Sequence, residues 1–104
     1  MFVAYETAIE LIREMRIVLP KVRMHDAELA KQLRDATTSV SMNLGEGRRR
    51  IGKDRIHFFR IADGSAGEVE AGLDSAIAWG YIEDACRARM VLTRLLRLLW
   101  GLTH

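Results

Sequence analysis

A cluster of basic side chains occupies residues 48–62 of this 104-residue sequence, with Asp54 as the only acid among them. Arginine dominates the cluster, and its planar guanidinium group matches the oxygens of a phosphate. The free N–H groups of a helix that begins near Lys53 would also favour an anion. The pattern therefore predicts contacts with a nucleic-acid backbone, which carry no base specificity of their own. The candidate binding residues are Arg48, Arg49, Arg50, Lys53, Arg55 and Arg60.

Two other interpretations of this basic cluster stay open. The side chains could form a solvated corner without a partner, or they could dock an acidic protein surface. Residues 63–84 offer such a surface, because they hold six acidic side chains and no basic one. Further along, Arg87, Arg94 and Arg97 are spaced to share one side of a helix. We predict a solvated face for these three, with a second binding stripe as the alternative.

Four polar residues fall close to the predicted helical core. Asn43 lies seven residues after the core position Ala36, and Glu46 follows it by about one turn. Ser65 and Glu68 form a similar pair further along. Two glutamates near a core could do acid–base chemistry. The favoured interpretation is a hydrogen-bonded network of Asn43, Glu46, Ser65 and Glu68 that fixes the register of the helices.

Other catalytic and metal-binding patterns are missing from the sequence. A metal site in a helical bundle uses Glu-x-x-His pairs on facing helices, whereas the nearest match is a single Asp54-x-x-His57. There is no P-loop, no nucleophile elbow and no zinc-binding cysteine spacing. We therefore predict a protein that is not an enzyme and that holds no metal or cofactor.

Amphipathic helices must position these residues. Apolar side chains recur at intervals of three and four, no β-type alternation is sustained, and Pro20 is the only proline. The first predicted helix covers about residues 4–19, and the second begins near His25 or Asp26. The third covers about residues 53–79, and the fourth begins near Glu83 or Asp84. The predicted inner face of the first helix carries Tyr5, Ala8, Ile12, Met15 and Leu19. Short connections between long helices predict an all-α, antiparallel up-and-down four-helix bundle that forms one domain over residues 1–104.

The helix predicted over residues 53–79 has an unusual surface. Its predicted core seam consists of Phe59, Ala62, Ala66, Val69, Leu73 and Ile77. Beside this seam runs a second stripe from Phe58 and Ile61 to Trp79, and small residues, Gly64 and Gly67 among them, fill much of the remainder. Each internal glycine costs about 1 kcal/mol relative to alanine, so these glycines need a physical reason. Close approach of another subunit is one reason, and it predicts a homo-oligomer. Tight packing within one bundle is the alternative.

The single cysteine, Cys86, excludes a disulfide within the chain and fits a reducing compartment. We predict that it is a buried, inert thiol on a helix. The first twelve residues make a poor signal peptide, and no uncharged apolar run approaches the length of a membrane span. These features predict a cytoplasmic protein without a membrane partner.

Two motifs carry a resemblance to a known family. Asn43-Leu44-Gly45-Glu46-Gly47 precedes the arginines, and Phe59-Arg60-Ile61-Ala62-Asp63-Gly64-Ser65 is followed by Glu68. Together with Gly80-Tyr81-Ile82, they resemble the four-helix bundle family of proteins encoded by intervening sequences in bacterial 23S ribosomal RNA genes. That family also includes the accessory variability determinant of diversity-generating retroelements. Gly45 and Gly67 depart mildly from it, since the family more often has alanine there.

The resemblance implies an antiparallel four-helix bundle that assembles as a ring-like homopentamer. For the retroelement branch it implies binding of nucleic acid and of a reverse transcriptase through basic surfaces, and for the ribosomal branch RNA binding is the usual supposition. Together, the residues and the resemblance predict a non-enzymatic, oligomeric nucleic-acid-binding protein, with RNA favoured as the ligand. The alternative is a protein-interaction scaffold, such as a reverse-transcriptase accessory subunit, without direct contact to nucleic acid.

Overall fold

A computed structural model describes residues 1–84 and 87–104, and within those ranges it contains four α-helices and no strand. Each helix packs against the next one along the chain, and α4 packs back against α1, so the helices form a closed square. This arrangement confirms the predicted all-α class. Among the described residues, no helix combines the length and the apolarity that a bilayer crossing needs. The helices are α1 (Val3–Arg23), α2 (Ala27–Gly47), α3 (Gly52–Ala78) and α4 (Arg87–Thr103).

All four helices contribute large apolar side chains to one core. The predicted seam of α3 is confirmed from Phe59 to Leu73, because Val69 and Leu73 are fully buried and Phe59 is nearly so, whereas Ile77 is only partly buried. The predicted inner face of α1 is partly wrong, since Tyr5, Ile12 and Leu19 are only partly buried. Apolar residues cover a wide arc of α1, and packing against its neighbours selects the edge of that arc that faces inward. The buried apolar residues of α1 are Ala4, Ala8, Leu11, Met15, Val18 and Val22.

The first helix does not end at the proline, contrary to the prediction. Pro20 lies inside α1, which continues to Arg23. A proline removes one backbone hydrogen bond. Val22, two residues after the proline, is fully buried, and its carbonyl accepts a hydrogen bond from the N–H of Asp26 at 2.8 Å. The predicted start of α2 is confirmed, because the Asp26 carboxylate accepts the N–H of Leu29 at 2.9 Å as an N-cap.

The end of α3 is closed by a glycine in the left-handed region. Gly80 has a φ of 80° and donates its N–H to the carbonyl of Ile77 at 2.9 Å. The N–H of Tyr81 reaches the carbonyl of Ala76 at 2.9 Å, which completes a Schellman motif. Tyr81 and Ile82 then pack against the core and lengthen the connection to α4.

Glu83 and Asp84, near which the sequence predicts the start of α4, are not themselves helical, and residues 85 and 86 after them lie outside the described residues. The described part of α4 begins at Arg87. The prediction of a buried thiol at Cys86 lies outside the described residues.

The arginines of α4 mostly form ion pairs with neighbouring helices. Arg87 lies 3.6 Å from Glu14 of α1, and Arg94 pairs with Glu10 of the same helix. Arg89 lies 2.5 Å from Asp74 of α3, whose hydrogen bond raises the pKa of Arg89 above its usual value. Arg87 and Arg94 are both exposed, as the prediction of a solvated face requires, and each also lies beside an acidic side chain of α1.

The glycines of α2 and α3 are of two kinds. A Cβ added to Gly72 would lie 2.5 Å from Leu33, and one added to Gly47 would lie 2.6 Å from the ring of Phe59. These two glycines let α2 and α3 approach closely within the chain. In contrast, a Cβ added to Gly64 or Gly67 meets nothing within 4 Å. Packing within the bundle therefore explains Gly72 and leaves Gly64 and Gly67 unexplained.

Candidate nucleic-acid interface

The connection between α2 and α3 places three consecutive arginines on a tight, exposed turn. The N–H of Arg49 donates to the carbonyl of Glu46 at 3.1 Å, and that of Arg50 to the carbonyl of Gly47 at 3.0 Å. The chain then extends at Ile51 and reverses at Gly52, whose φ of 59° favours glycine. We call the turn and the first turns of α3 the basic corner, defined by Arg48, Arg49, Arg50, Lys53, Arg55 and Arg60.

Arg55 has a structural role in the basic corner, because its side chain holds the turn together through hydrogen bonds. Its Nε donates to the carbonyl of Gly47 at 3.3 Å, and its Nη2 donates to the carbonyl of Arg48 at 3.1 Å. Both carbonyls belong to the end of α2, where the last carbonyl groups have no hydrogen-bond donor within the helix and a positive charge is favourable. Arg55 therefore joins the end of α2 to the start of α3 and fixes the shape of the turn between them.

We expect the Arg55→Ala variant to lower the free energy of unfolding by about 1–2 kcal/mol, because it removes two hydrogen bonds from a charged donor on a partly exposed surface. Urea denaturation followed by circular dichroism measures this loss. Arg60→Ala is the matched control, since its side chain is exposed on the same helix. Equal stability of the two variants would contradict the structural role of Arg55.

Arg48 and Arg50 also have partners within the chain. The guanidinium of Arg48 lies 4.4 Å from the centre of the Tyr5 ring, and that of Arg50 lies 5.2 Å from the centre of the Phe58 ring. Arg50 also lies 3.1 Å from Glu46 and 3.5 Å from Asp54. These contacts hold both arginines in place, and the two carboxylates partly neutralise Arg50.

Arg49, Lys53 and Arg60 are the cations of the basic corner that are most open to a ligand. All three side chains are exposed, and none forms an ion pair with another residue in the described ranges. Lys53 and Arg60 are seven residues apart on α3 and therefore share one face of that helix. The N-cap of α3 is Ile51, which offers no side-chain acceptor, so the first N–H groups of the helix remain available to an anion.

The predicted polar network is present in a different form. The hydroxyls of Ser39 and Ser65 lie 2.7 Å apart across α2 and α3. The amide of Asn43 donates to the carbonyl of Ser39 at 2.9 Å and to its hydroxyl at 3.1 Å. Ser39 was missed by the sequence reasoning, although its position four residues before Asn43 places it on the same face of α2. Its contact with Ser65 depends on the register between the two helices.

The two glutamates do not belong to this network, which corrects the prediction. Glu46 and Glu68 are both exposed, because their positions on α2 and α3 face away from the core. Glu46 pairs with Arg50 and lines a groove of about 490 Å³ beside Asn43 and Phe58. Glu68 lines a different groove, beside Gly72. Within the described part of the chain, no group of three metal-ligating side chains comes together.

These features define an all-α four-helix protein with a dense cluster of exposed cations at one corner. The 23S rRNA-intervening sequence protein family matches residues 2–99, and the chain belongs to that family. The match confirms the family predicted from the motifs around Asn43 and Phe59. No curated protein matches the sequence at a significant level.

A solved structure shows the same fold. It is the 1.70 Å crystal structure of a protein of unknown function of the S23 ribosomal protein family from Bacteroides thetaiotaomicron VPI-5482. The two chains superimpose with a TM-score of 0.83 and are 21% identical, and the similarity covers 96% of this chain and 97% of the other. At this level of identity the likeness establishes the fold alone.

Proposed function

We propose that this protein is a non-enzymatic nucleic-acid-binding protein that contacts the phosphate backbone through its basic corner, with RNA as the favoured ligand. The observation that carries the proposal is the exposure of Arg49, Lys53 and Arg60 without ion-pair partners in the described ranges. A phosphate binds more strongly to a cation that has no ion pair with a carboxylate, because no existing ion pair has to be broken first. The fixed positions of Arg48, Arg50 and Arg55 shape the surface around these three cations.

We also propose that the protein acts as a homo-oligomer of five subunits. Support for close contact between copies comes from the open positions Gly64 and Gly67 on the outer face of α3, together with Ile61, which is 39% exposed. A strip without side chains lets another helix approach closely. An assembly presents several basic corners to one polyanion, so weak individual contacts add through multivalency.

A scaffold for a partner protein, such as a reverse transcriptase, is the second candidate. The observation that favours it is the number of cations with partners already in the chain: Arg48 stacks on Tyr5, Arg50 pairs with Glu46, and Arg55 binds carbonyl groups. In this case the basic corner would meet an acidic protein surface rather than phosphates.

One experiment tests subunit number and ligand together. Size-exclusion chromatography with light scattering, run with and without RNA, is expected to give a pentamer that shifts to a higher mass when RNA is present. Raising the salt from about 50 to 200 mM should weaken the RNA complex at least tenfold, because counterions compete for the phosphates. A mass that does not change with RNA at low salt would overturn nucleic-acid binding and favour the scaffold. A monomer would overturn the assembly.

A further inference from the structure

An exposed pair of aromatic rings lies near the end of α4. Trp100 is 62% exposed, and the ring of His104 stacks on it with centres 4.4 Å apart and planes inclined by 5°. A tryptophan normally buries its large apolar surface. The stacked pair instead presents flat aromatic faces to solvent.

The aromatic pair lies at the same end of the bundle as the basic corner. The ion pairs Arg94–Glu10 and Arg87–Glu14 fix the antiparallel register between α4 and α1, and they place Trp100 level with the first turn of α1. That turn carries Tyr5, on which Arg48 stacks. The bundle measures 42 by 22 by 20 Å, so one short segment of ligand is able to span the distance across this end.

Two further residues make the aromatic face of α4 suitable for binding a flat, anionic ligand. Arg97 is one turn before Trp100, is exposed, and forms no ion pair with the residues that the structure describes. Gly101 follows Trp100, and a Cβ added there meets nothing within 4 Å, so the helix backbone is open beside the ring. With His104, these residues recur at spacings of three and four and therefore share one side of the helix.

From this arrangement we infer that the outer face of α4 at Arg97, Trp100 and His104 is a base-stacking platform for single-stranded nucleic acid. The inference rests on the proposed function and adds the class of ligand. A base is able to stack on an exposed ring only when it has left its own stack, which a single strand allows and a duplex prevents. Arg97 supplies the phosphate contact beside the stacked base, and the basic corner binds the continuing backbone.

Binding of a single strand by the Trp100→Ala variant tests the platform. We expect its affinity for a fluorescent oligouridylate of about 12 nucleotides to fall roughly 5- to 150-fold, the effect of losing a base–aromatic stack. The salt dependence of binding should stay the same, because no phosphate contact is lost. The matched control is Trp79→Ala, which removes a tryptophan that is 72% exposed on the connection at the opposite end. Light scattering on both variants verifies that the subunit number is unchanged.

Tryptophan fluorescence gives an independent readout. Trp79→Phe leaves Trp100 as the sole tryptophan, and Trp100→Phe leaves Trp79. The single strand should quench the first variant and not the second, and a matched RNA duplex should quench neither. Equal binding by Trp100→Ala and Trp79→Ala, or quenching by the duplex alone, would overturn the platform while leaving the basic corner intact. A wild-type protein that binds neither strand nor duplex would overturn the proposed function as well.

Discussion

A variant with Arg49, Lys53 and Arg60 all replaced by glutamate is expected to bind RNA at least about 100-fold more weakly than the wild type near physiological salt, because it loses three phosphate contacts and gains three repulsive charges. The slope of log affinity against log salt should fall by about 2–3 for the same reason. Fluorescence anisotropy with labelled RNA over a range of salt concentrations measures both quantities. The fold should be unaffected, since all three side chains are exposed.

The matched control reverses Arg13, Arg16 and Arg23 of α1, which are also exposed. Both triple variants change the net charge by the same amount, so the comparison separates the position of the charge from its total. The control should lose affinity only slightly through the long-range field. If both variants bind equally weakly, net charge alone governs binding and the basic corner is not the site. If both bind like the wild type, neither surface contacts RNA.

The second large effect is expected in the contact between α2 and α3. Leu33 is buried and lies against Gly72. Leu33→Ala should lower the free energy of unfolding by about 2–5 kcal/mol, because it leaves a cavity in the core. Gly72→Ala should lower the free energy of unfolding by roughly 1–3 kcal/mol, because the added methyl group overpacks the contact with Leu33. The better helix propensity of alanine should offset up to about 1 kcal/mol of that loss.

The double variant makes this prediction specific. Because the methyl group at position 72 enters the space left by the leucine, Leu33→Ala with Gly72→Ala should be more stable than the sum of the single losses predicts, by about 0.5–2 kcal/mol. Gly101→Ala is the control, since its added Cβ is in open space and should not destabilise the protein. Urea denaturation gives all four values. Strict additivity would contradict the contact between residues 33 and 72.

The parts of the fold that depend on local pattern could be predicted from the sequence. The seam of α3 repeats regularly enough that Phe59, Val69 and Leu73 could be assigned to the core, and Asp26 caps α2 through a bond that spans three residues. The end of α1 could not be predicted, because the burial of Val22 against other helices carries the helix past Pro20. Tertiary packing outweighs a local helix-breaking signal there.

For the candidate site, composition showed where the cations are and did not show which of them are available. Arg49 and Arg50 are neighbours in the sequence, yet Arg50 pairs with Glu46 and Asp54 while Arg49 points to solvent. The difference arises from the geometry of the turn, which depends on the positive φ of Gly52 and on the bonds from Arg55. Neither follows from residue type alone.

The ion pairs of α4 shape the electric field around the whole molecule. Arg87, Arg89 and Arg94 each lie beside an acidic partner, so their charges largely cancel at a distance. The basic corner instead gathers six exposed cations at one tip of a bundle 42 Å long. Because the Debye length is about 8 Å in physiological salt, this dense cluster attracts a polyanion more strongly than the separate cations along the sides, such as Arg13 and Arg16. End-on encounters are therefore favoured, and they orient the long axis of the bundle before the first contact forms.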